Sequence, residues 1–114
     1  MHELGIAQNI VDAVMREMTE RRLPSVTTIA LRIGAMTDVD SDALSFGFQI
    51  LTKETPLEQS QLRIERVPVR GRCGACMHDF EIAGYAFQCP ACLSREVKLV
   101  SGTELDIAYL EIPD

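Results

Sequence analysis

A chain of 114 residues with 46% hydrophobic content can bury one modest core, beside a small module stabilised by something other than apolar area. A formal net charge of -6 argues against a main partner with a phosphate backbone, because such partners select basic surfaces. No apolar run is long enough to cross a bilayer, and the first residues lack the basic start of a signal peptide. We therefore expect a cytoplasmic protein that binds neither nucleic acid nor membrane.

The first predicted element is an amphipathic helix that begins at Leu4 and ends before Pro24, since proline cannot continue a helix. Its apolar positions recur on one helical face: Leu4, Ala7, Val11, Val14 and Met18. Residues 26–33 (VTTIALRI) alternate between apolar and polar, which predicts a half-buried strand closed by Gly34.

Residues 38–52 (DVDSDALSFGFQILT) predict a second helix, because capping candidates precede apolar residues at helical spacing. Gly47 within it argues against a fully regular helix. A further strand is predicted at 61–67 (QLRIERV). Residues 97–101 (VKLVS) and 104–112 (ELDIAYLEI), separated by Gly102 and Thr103, predict a C-terminal hairpin.

This order of elements predicts an α/β fold, in which two helices pack on one small mixed sheet interrupted by an inserted zinc-ribbon module. The predicted boundaries are 1–68 with 96–114 for the discontinuous α/β domain and 69–95 for the ribbon.

The inserted segment contains two C-x2-C pairs separated by twelve residues. Their four candidate ligands are Cys73, Cys76, Cys89 and Cys92. In a reducing compartment, matched cysteine pairs bind metal more often than they form disulfides. Two such turns bring four thiolates onto one ion, and the short strand-like loop between them is typical of a zinc ribbon. The pattern predicts structural Zn²⁺ in a closed four-cysteine site.

Other interpretations of the cysteines are a rubredoxin-like iron centre and a dithiol redox site. The first is disfavoured because Met77 and Leu93 follow the second cysteine of each pair, where a rubredoxin has glycine. The dithiol redox site is disfavoured because it needs only one exchanging pair of cysteines, whereas this chain has two matched pairs.

A nucleic-acid interface is a further alternative, because the approach to the ribbon is basic. We interpret its arginines as solvent-facing residues that offset thiolate charge: Arg63, Arg66, Arg70 and Arg72.

The opening tripeptide MHE offers a second metal site. The Met1 amine, the His2 amide nitrogen and the His2 imidazole can close two fused chelate rings in one plane, which favours Ni(II) or Cu(II). The fourth donor is open among the Glu3 amide, its carboxylate, water and a partner group. The alternative is an ordinary surface histidine with Glu3 placed against the helix dipole. His78, inside the ribbon, is interpreted as a surface residue.

Four motifs in the same order carry a family resemblance over essentially the whole chain. MHE at the start, IGAMTDVD after the first strand, the CGAC and CPAC pairs, and the closing SGTELDI together resemble the HypA/HybF family of hydrogenase-maturation nickel metallochaperones. The resemblance implies a small α/β nickel-binding domain with an inserted zinc ribbon. It implies nickel at Met1, His2 and Glu3, and structural zinc at the four cysteines. Many relatives have serine at the position of Gly5, so the local start of the helix can differ here.

The resemblance also implies delivery of nickel, together with a nickel-handling maturation GTPase, to a [NiFe]-hydrogenase large subunit precursor, and in some members to urease. We expect a carrier and not an enzyme, since no catalytic triad, paired carboxylate constellation or phosphate-binding G-x4-G-K-[ST] loop occurs. The alternative function is a zinc-ribbon interaction module that binds protein or nucleic acid without nickel. Both a monomer and a homodimer are compatible with the sequence.

Overall fold

The computed structural model describes residues 2–114, so Met1 lies outside the described residues. The elements follow in chain order: α1 (Glu3–Arg21), β1 (Thr28–Gly34), a 3-10 turn (Ala35–Thr37), α2 (Ser41–Leu51), β2 (Gln61–Val67), β3 (Arg70–Cys73), β4 (Asp79–Glu81), β5 (Val97–Ser101) and β6 (Leu105–Glu111). Within these residues, no helix is long and apolar enough to span a membrane. The predicted α/β class, a small mixed sheet with two helices and an inserted cysteine module, is confirmed, and the strands form two sheets.

The chain divides into two compact units. The helical unit comprises Met1–Leu31, Val39–Glu65 and Asp106–Asp114. The cysteine unit comprises Arg32–Asp38 and Arg66–Leu105. The boundaries predicted from the sequence, 1–68 with 96–114 and 69–95, stay a prediction about independently folding domains.

In the helical unit, both helices have the ends that their local chemistry favours. α1 ends at Arg21 because Arg22 takes the left-handed conformation (φ 55°) and its N–H donates back into the last turn. Pro24 follows this cap and does not cause it. α2 begins after Asp40, whose carboxylate accepts the N–H groups of Asp42 and Ala43 at 2.9 and 3.1 Å.

The two helices approach each other closely at Gly47. A methyl group added there would lie 3.3 Å from Leu4 Cδ1 and 3.8 Å from Ala7 Cβ. The helix is continuous through this glycine, so the irregularity that the sequence suggested is absent from residues 41–51. The missing side chain instead lets the first turn of α1 lie against α2.

The first sheet has the strand order β2-β1-β6. Its central strand β1 is buried at Ile29, Leu31 and Ile33, as the alternation predicted, but Ala30 on the other face is buried too, so the prediction of a half-buried strand is wrong. Backbone bonds from Thr27 N–H to Glu111 O (2.8 Å) and from Gln61 N–H to Thr27 O (3.0 Å) join the three strands at one end. β2 and β6 are the two edges.

The predicted C-terminal hairpin is wrong. β5 pairs antiparallel with β3 in a second sheet of order β4-β3-β5, whereas β6 belongs to the first sheet. Between them, Gly102 has φ 116° and its carbonyl accepts the Met36 N–H at 2.8 Å. The main chain of this connection is therefore bonded to the segment after β1 and does not turn β6 back onto β5.

That connection depends on two glycines. A Cβ added to Gly34 would lie 2.1 Å from the Gly102 carbonyl carbon, and one added to Gly102 would lie 2.8 Å from Val69 Cα. Gly34 N–H also donates to Glu104 O at 2.7 Å. The IGAM and SGTE motifs thus meet backbone to backbone in the cysteine unit, where no other residue type fits without displacement.

Candidate metal centre

The cysteine unit contains the same turn twice. In the first turn, Met77 N–H donates to Cys73 O at 3.0 Å and Cys73 N–H donates to His78 O at 2.9 Å. In the second, Leu93 N–H donates to Cys89 O at 2.8 Å and Cys89 N–H donates to Ser94 O at 2.9 Å. Met77 and Leu93 both have φ 67°, so each C-x2-C pair is followed directly by a residue in the left-handed conformation that is not glycine.

These turns bring the four predicted ligands together. All four Sγ atoms lie within 4.8 Å of one another, with 3.5 Å between Cys73 and Cys92 and 3.6 Å between Cys76 and Cys89. A tetrahedral ion with bonds of about 2.3 Å to sulfur separates its ligands by about 3.8 Å, so the spacing fits such an ion. A disulfide requires about 2.05 Å, and all four cysteines are free.

Hydrogen bonds to the cysteine sulfurs explain how the four-cysteine group can hold a cation. The N–H groups of Cys76 and Ala75 donate to the Cys73 sulfur and lower the pKa of this thiol to about 6. Ser94 N–H donates to the Cys92 sulfur, but the neighbouring Cys73 sulfur and partial loss of hydration outweigh it and raise the pKa of Cys92 to about 12. One thiolate forms readily, whereas full ionisation of the group needs a bound cation.

The core of the unit is built on the same residues. Cys73 and Cys89 are fully buried, whereas Cys76 and Cys92 are exposed. The buried cluster around them is small and consists of Val69, Cys73, Phe80, Ile82 and Cys89, with Phe87 and Val97 packed against it. A metal ion at the sulfurs would connect the two turns to this core.

Two of the arginines that the sequence singled out, Arg63 and Arg72, are engaged by carboxylates of the chain. Arg72 Nε donates to Asp79 Oδ1 at 2.7 Å on the neighbouring strand, and Asp79 raises the pKa of this guanidinium. Arg63 binds Glu111 at 3.0 Å and the Tyr109 hydroxyl at 2.9 Å. These pairs argue against a phosphate-binding surface. His78 is exposed, as expected, and its ring stacks on Phe80 with centroids 6.0 Å apart.

The second predicted site is described in part. Met1, the first predicted nickel ligand, lies outside the described residues. His2 is the N-cap of α1, its carbonyl accepts the Ile6 N–H at 2.9 Å, and its side chain is 57% exposed. Its Nε2 lies 4.0 Å from Glu3 Oε2.

Glu3 is buried, although it stands near the start of the chain. Its Oε2 accepts the Asp40 N–H at 3.1 Å, and this bond, with the N–H of Glu3 itself, holds the pKa of the carboxyl below its usual range. The carboxylate therefore ties the start of α1 to the residue that caps α2. Sequence reasoning expected capping residues ahead of α2 without singling out Asp40, and it missed this contact because no local pattern links residues 37 positions apart.

Comparisons with known proteins agree over the whole chain. Residues 1–112 match the family described as "Hydrogenase/urease nickel incorporation, metallochaperone, hypA". A hydrogenase maturation factor HypA from Desulfosudis oleivorans is 41% identical over 115 residues and covers 100% of both chains. One from Geobacter metallireducens is 41% identical over 112 residues, covering 98% of this chain and 99% of its own.

Two solved structures share the fold. The "Solution structure of HypA protein" superposes with a TM-score of 0.75 at 20% identity and covers 99% of this chain and 97% of its own. The "Solution structure of the Ni metallochaperone HypA from Helicobacter pylori" superposes with a TM-score of 0.68, also at 20% identity, over 98% and 97%.

Proposed function

The chain belongs to the HypA family of nickel metallochaperones for hydrogenase maturation, and we propose that it binds Ni(II) at Met1, His2 and Glu3 and delivers it to a [NiFe]-hydrogenase large subunit precursor. A partner GTPase, which the family resemblance implies, acts with it in this proposal, and the chain itself contains no G-x4-G-K-[ST] phosphate-binding loop. The protein has no catalytic step, and its client in this proposal is the hydrogenase; the family description also names urease.

The observation that carries the nickel proposal is the position of His2 at the N-cap of α1. The first N–H groups of a helix have no intrahelical acceptor, so a metal can displace the proton of the His2 amide without breaking a helical hydrogen bond. The α-amine of Met1 and the imidazole complete three planar nitrogen donors, a set that suits Ni(II). An exposed imidazole also lets an acceptor approach and take the ion.

The fourth nickel donor stays open in this proposal. Glu3 Oε2 accepts the Asp40 N–H, but a carboxylate has two oxygens, so Oε1 can coordinate an ion without breaking that bond. The candidates are Glu3 Oε1, the Glu3 amide nitrogen, water and a group supplied from outside the chain. An outside group is compatible with a site that must release its ion to a partner.

For the four cysteines we propose structural Zn²⁺. Four thiolates around one ion leave no open position for water or substrate, so the ion contributes folding energy and no chemistry. The sequence argument against iron has lost weight, because Met77 and Leu93 adopt the left-handed conformation without being glycine. Zinc is favoured because a redox-inert ion that prefers four tetrahedral thiolates suits a site with a purely structural role, and the small core of this unit needs such an ion to fold.

Native mass spectrometry of the untagged protein, with and without added Ni(II), tests this function. We expect one zinc per chain throughout and one additional nickel after titration. The matched variant His2→Ala should keep the zinc and lose the nickel. Nickel binding that persists in His2→Ala would overturn the terminal site. A wild-type protein that takes up no nickel outside its cysteines would instead favour the zinc-ribbon interaction module.

A further inference from the structure

Three large apolar side chains are exposed together where the two helices meet. Phe46 and Ile50 stand one turn apart on α2 and are 64% and 49% exposed. Leu4, in the first turn of α1, is 43% exposed. A Cβ at Gly47 would lie 3.3 Å from Leu4 Cδ1 and 3.8 Å from Leu4 Cα, so α1 crosses α2 beside the other two side chains. We call Leu4, Phe46 and Ile50 the helix patch.

The packing of α2 does not require the helix patch. From Gly47, at about 100° per residue, Ile50 stands about 60° and Phe46 about 100° round the helix in one direction. Leu44 and Phe48 stand at the same angles in the other direction and are 0% and 2% exposed. These two residues supply the core contacts of α2. Single apolar side chains on a surface are ordinary, but a contiguous group of them marks an interaction site.

The segments that form the helix patch carry negative charge only. Residues 1–15 and 39–52 contain four carboxylates and neither lysine nor arginine. The four are Glu3, Asp12, Asp40 and Asp42. Asp42 is exposed and precedes Phe46 by one helical turn, so it adjoins the patch directly. A protein that covers this surface matches it best with an apolar centre and a basic rim.

The helix patch begins beside the proposed nickel site. Leu4 follows His2 by two residues, which is an α-carbon separation of about 5.5 Å in helical geometry. An interface of ordinary size buries about 800 Å² on each partner and therefore extends roughly 16 Å from its centre. A protein that takes an ion from His2 must approach within bonding distance of it. Its contact surface then extends over the neighbouring patch.

We propose that the helix patch docks the protein that accepts nickel, through an apolar segment of that protein flanked by lysine or arginine. This inference rests on the proposed function, in which the acceptor is the hydrogenase large subunit precursor. Phe46 is the most exposed of the three side chains and is aromatic, so it is the main anchor. The contact holds the acceptor beside the exposed imidazole of His2 while the ion moves.

The affinity of the zinc-loaded, untagged protein for the purified, metal-free precursor tests the apolar contact. Measured by calorimetry with and without Ni(II), the double variant Phe46→Ala/Ile50→Ala should raise the dissociation constant by roughly tenfold or more. Its nickel content should equal that of wild type. The matched control is Ile112→Ala, whose side chain is 50% exposed in the same unit and adjoins Glu20 and Leu23 near the other end of α1. This control should leave the dissociation constant unchanged.

Charge reversal tests the basic rim of the acceptor. Asp42→Lys should raise the dissociation constant several-fold, and added salt should weaken binding of wild type more than binding of this variant. Glu20→Lys, which makes the same change near the other end of α1, should bind the precursor as wild type does. Helix content by circular dichroism and zinc content establish that each variant is folded.

Equal affinity of the double variant and wild type for the precursor overturns the proposal, as does a wild-type protein that does not bind the precursor. It is also overturned if the double variant binds the precursor normally and instead loses binding to the partner GTPase or changes self-association, since a different occupant then covers the patch. Absence of nickel binding in wild type would refute the terminal site separately, because precursor affinity is also measured without nickel.

Discussion

The two proposed metal sites of this chain are built in opposite ways. The four-cysteine centre is enclosed by two identical turns whose backbone N–H groups and carbonyls bond to each other, and half of its sulfurs are buried. The terminal site uses the end of a helix, an exposed imidazole and a carboxylate that bonds to another element. The ion that we propose to be structural is thus surrounded by chain, whereas the ion that we propose to be delivered lies at an exposed helix start.

The largest expected effect concerns the enclosed site. Cys73→Ala should unfold the cysteine unit and preserve α1, because structural zinc contributes about 10 kcal/mol or more, which so small a core cannot replace. Amide exchange and zinc analysis measure this. His78→Ala is the control and should keep both metal and fold, since its ring only stacks on the surface beside Phe80. An ordered cysteine unit with full zinc in Cys73→Ala would contradict the site.

The next effect concerns the exposed site and needs no side-chain change. A long N-terminal tag converts the Met1 amine into an amide and removes one planar donor, so nickel affinity should fall sharply while zinc stays bound. A single added glycine should act differently, because amine, two amides and imidazole then close three fused rings around the ion. That protein should bind nickel in a visible square-planar complex and still fail to support hydrogenase maturation, since its ion is held too firmly.

Equal nickel binding and equal maturation by the tagged, glycine-extended and native proteins would show that the free amine has no role. Nickel affinity of the native protein should also weaken as pH falls from about 8 to about 6, because amine and imidazole take up protons in this range.

Two glycine-to-alanine substitutions compare a position packed against another backbone segment with a position that has open space around it. Gly34→Ala places a methyl group 2.1 Å from the Gly102 carbonyl carbon and should destabilise the protein by about 1–3 kcal/mol or more. Gly5→Ala meets nothing within 4 Å inside α1 and should stabilise it by about 1 kcal/mol through helix propensity. Chemical denaturation measures both. A Gly34→Ala variant as stable as wild type would mean that the close approach of the Gly34 and Gly102 backbones is not required.

The smallest expected effect is the pH dependence conferred by Glu3. Its pKa is lowered in the folded state, so its stabilising contribution is present above the ordinary pKa of glutamate and is lost as pH falls through the lowered value. Thermal unfolding followed toward acid pH should therefore show a shallower loss of stability in Glu3→Gln than in wild type. Identical acid profiles would show that the bond to Asp40 contributes nothing.

The sequence by itself determined the elements whose signals are local. α2 lies where capping residues and helical spacing predicted it, and β2 has the predicted bounds. The two C-x2-C pairs converge because each turn is closed by hydrogen bonds within a few residues. Such signals are contained in residues that are neighbours in the chain, so spacing alone reveals them. The family resemblance added the assignment of nickel to the first three residues.

Only the tertiary structure decided which distant main-chain groups meet. The separation of β5 from β6 follows from the bonds of residues 102–104 to residues 34–36, and the bond of Glu3 to Asp40 joins two helix starts 37 positions apart. A glycine or a glutamate has the same local pattern whether or not a distant backbone lies against it. Burial of unpaired N–H and C=O groups is what forces these contacts, and that cost arises only when the whole chain is folded.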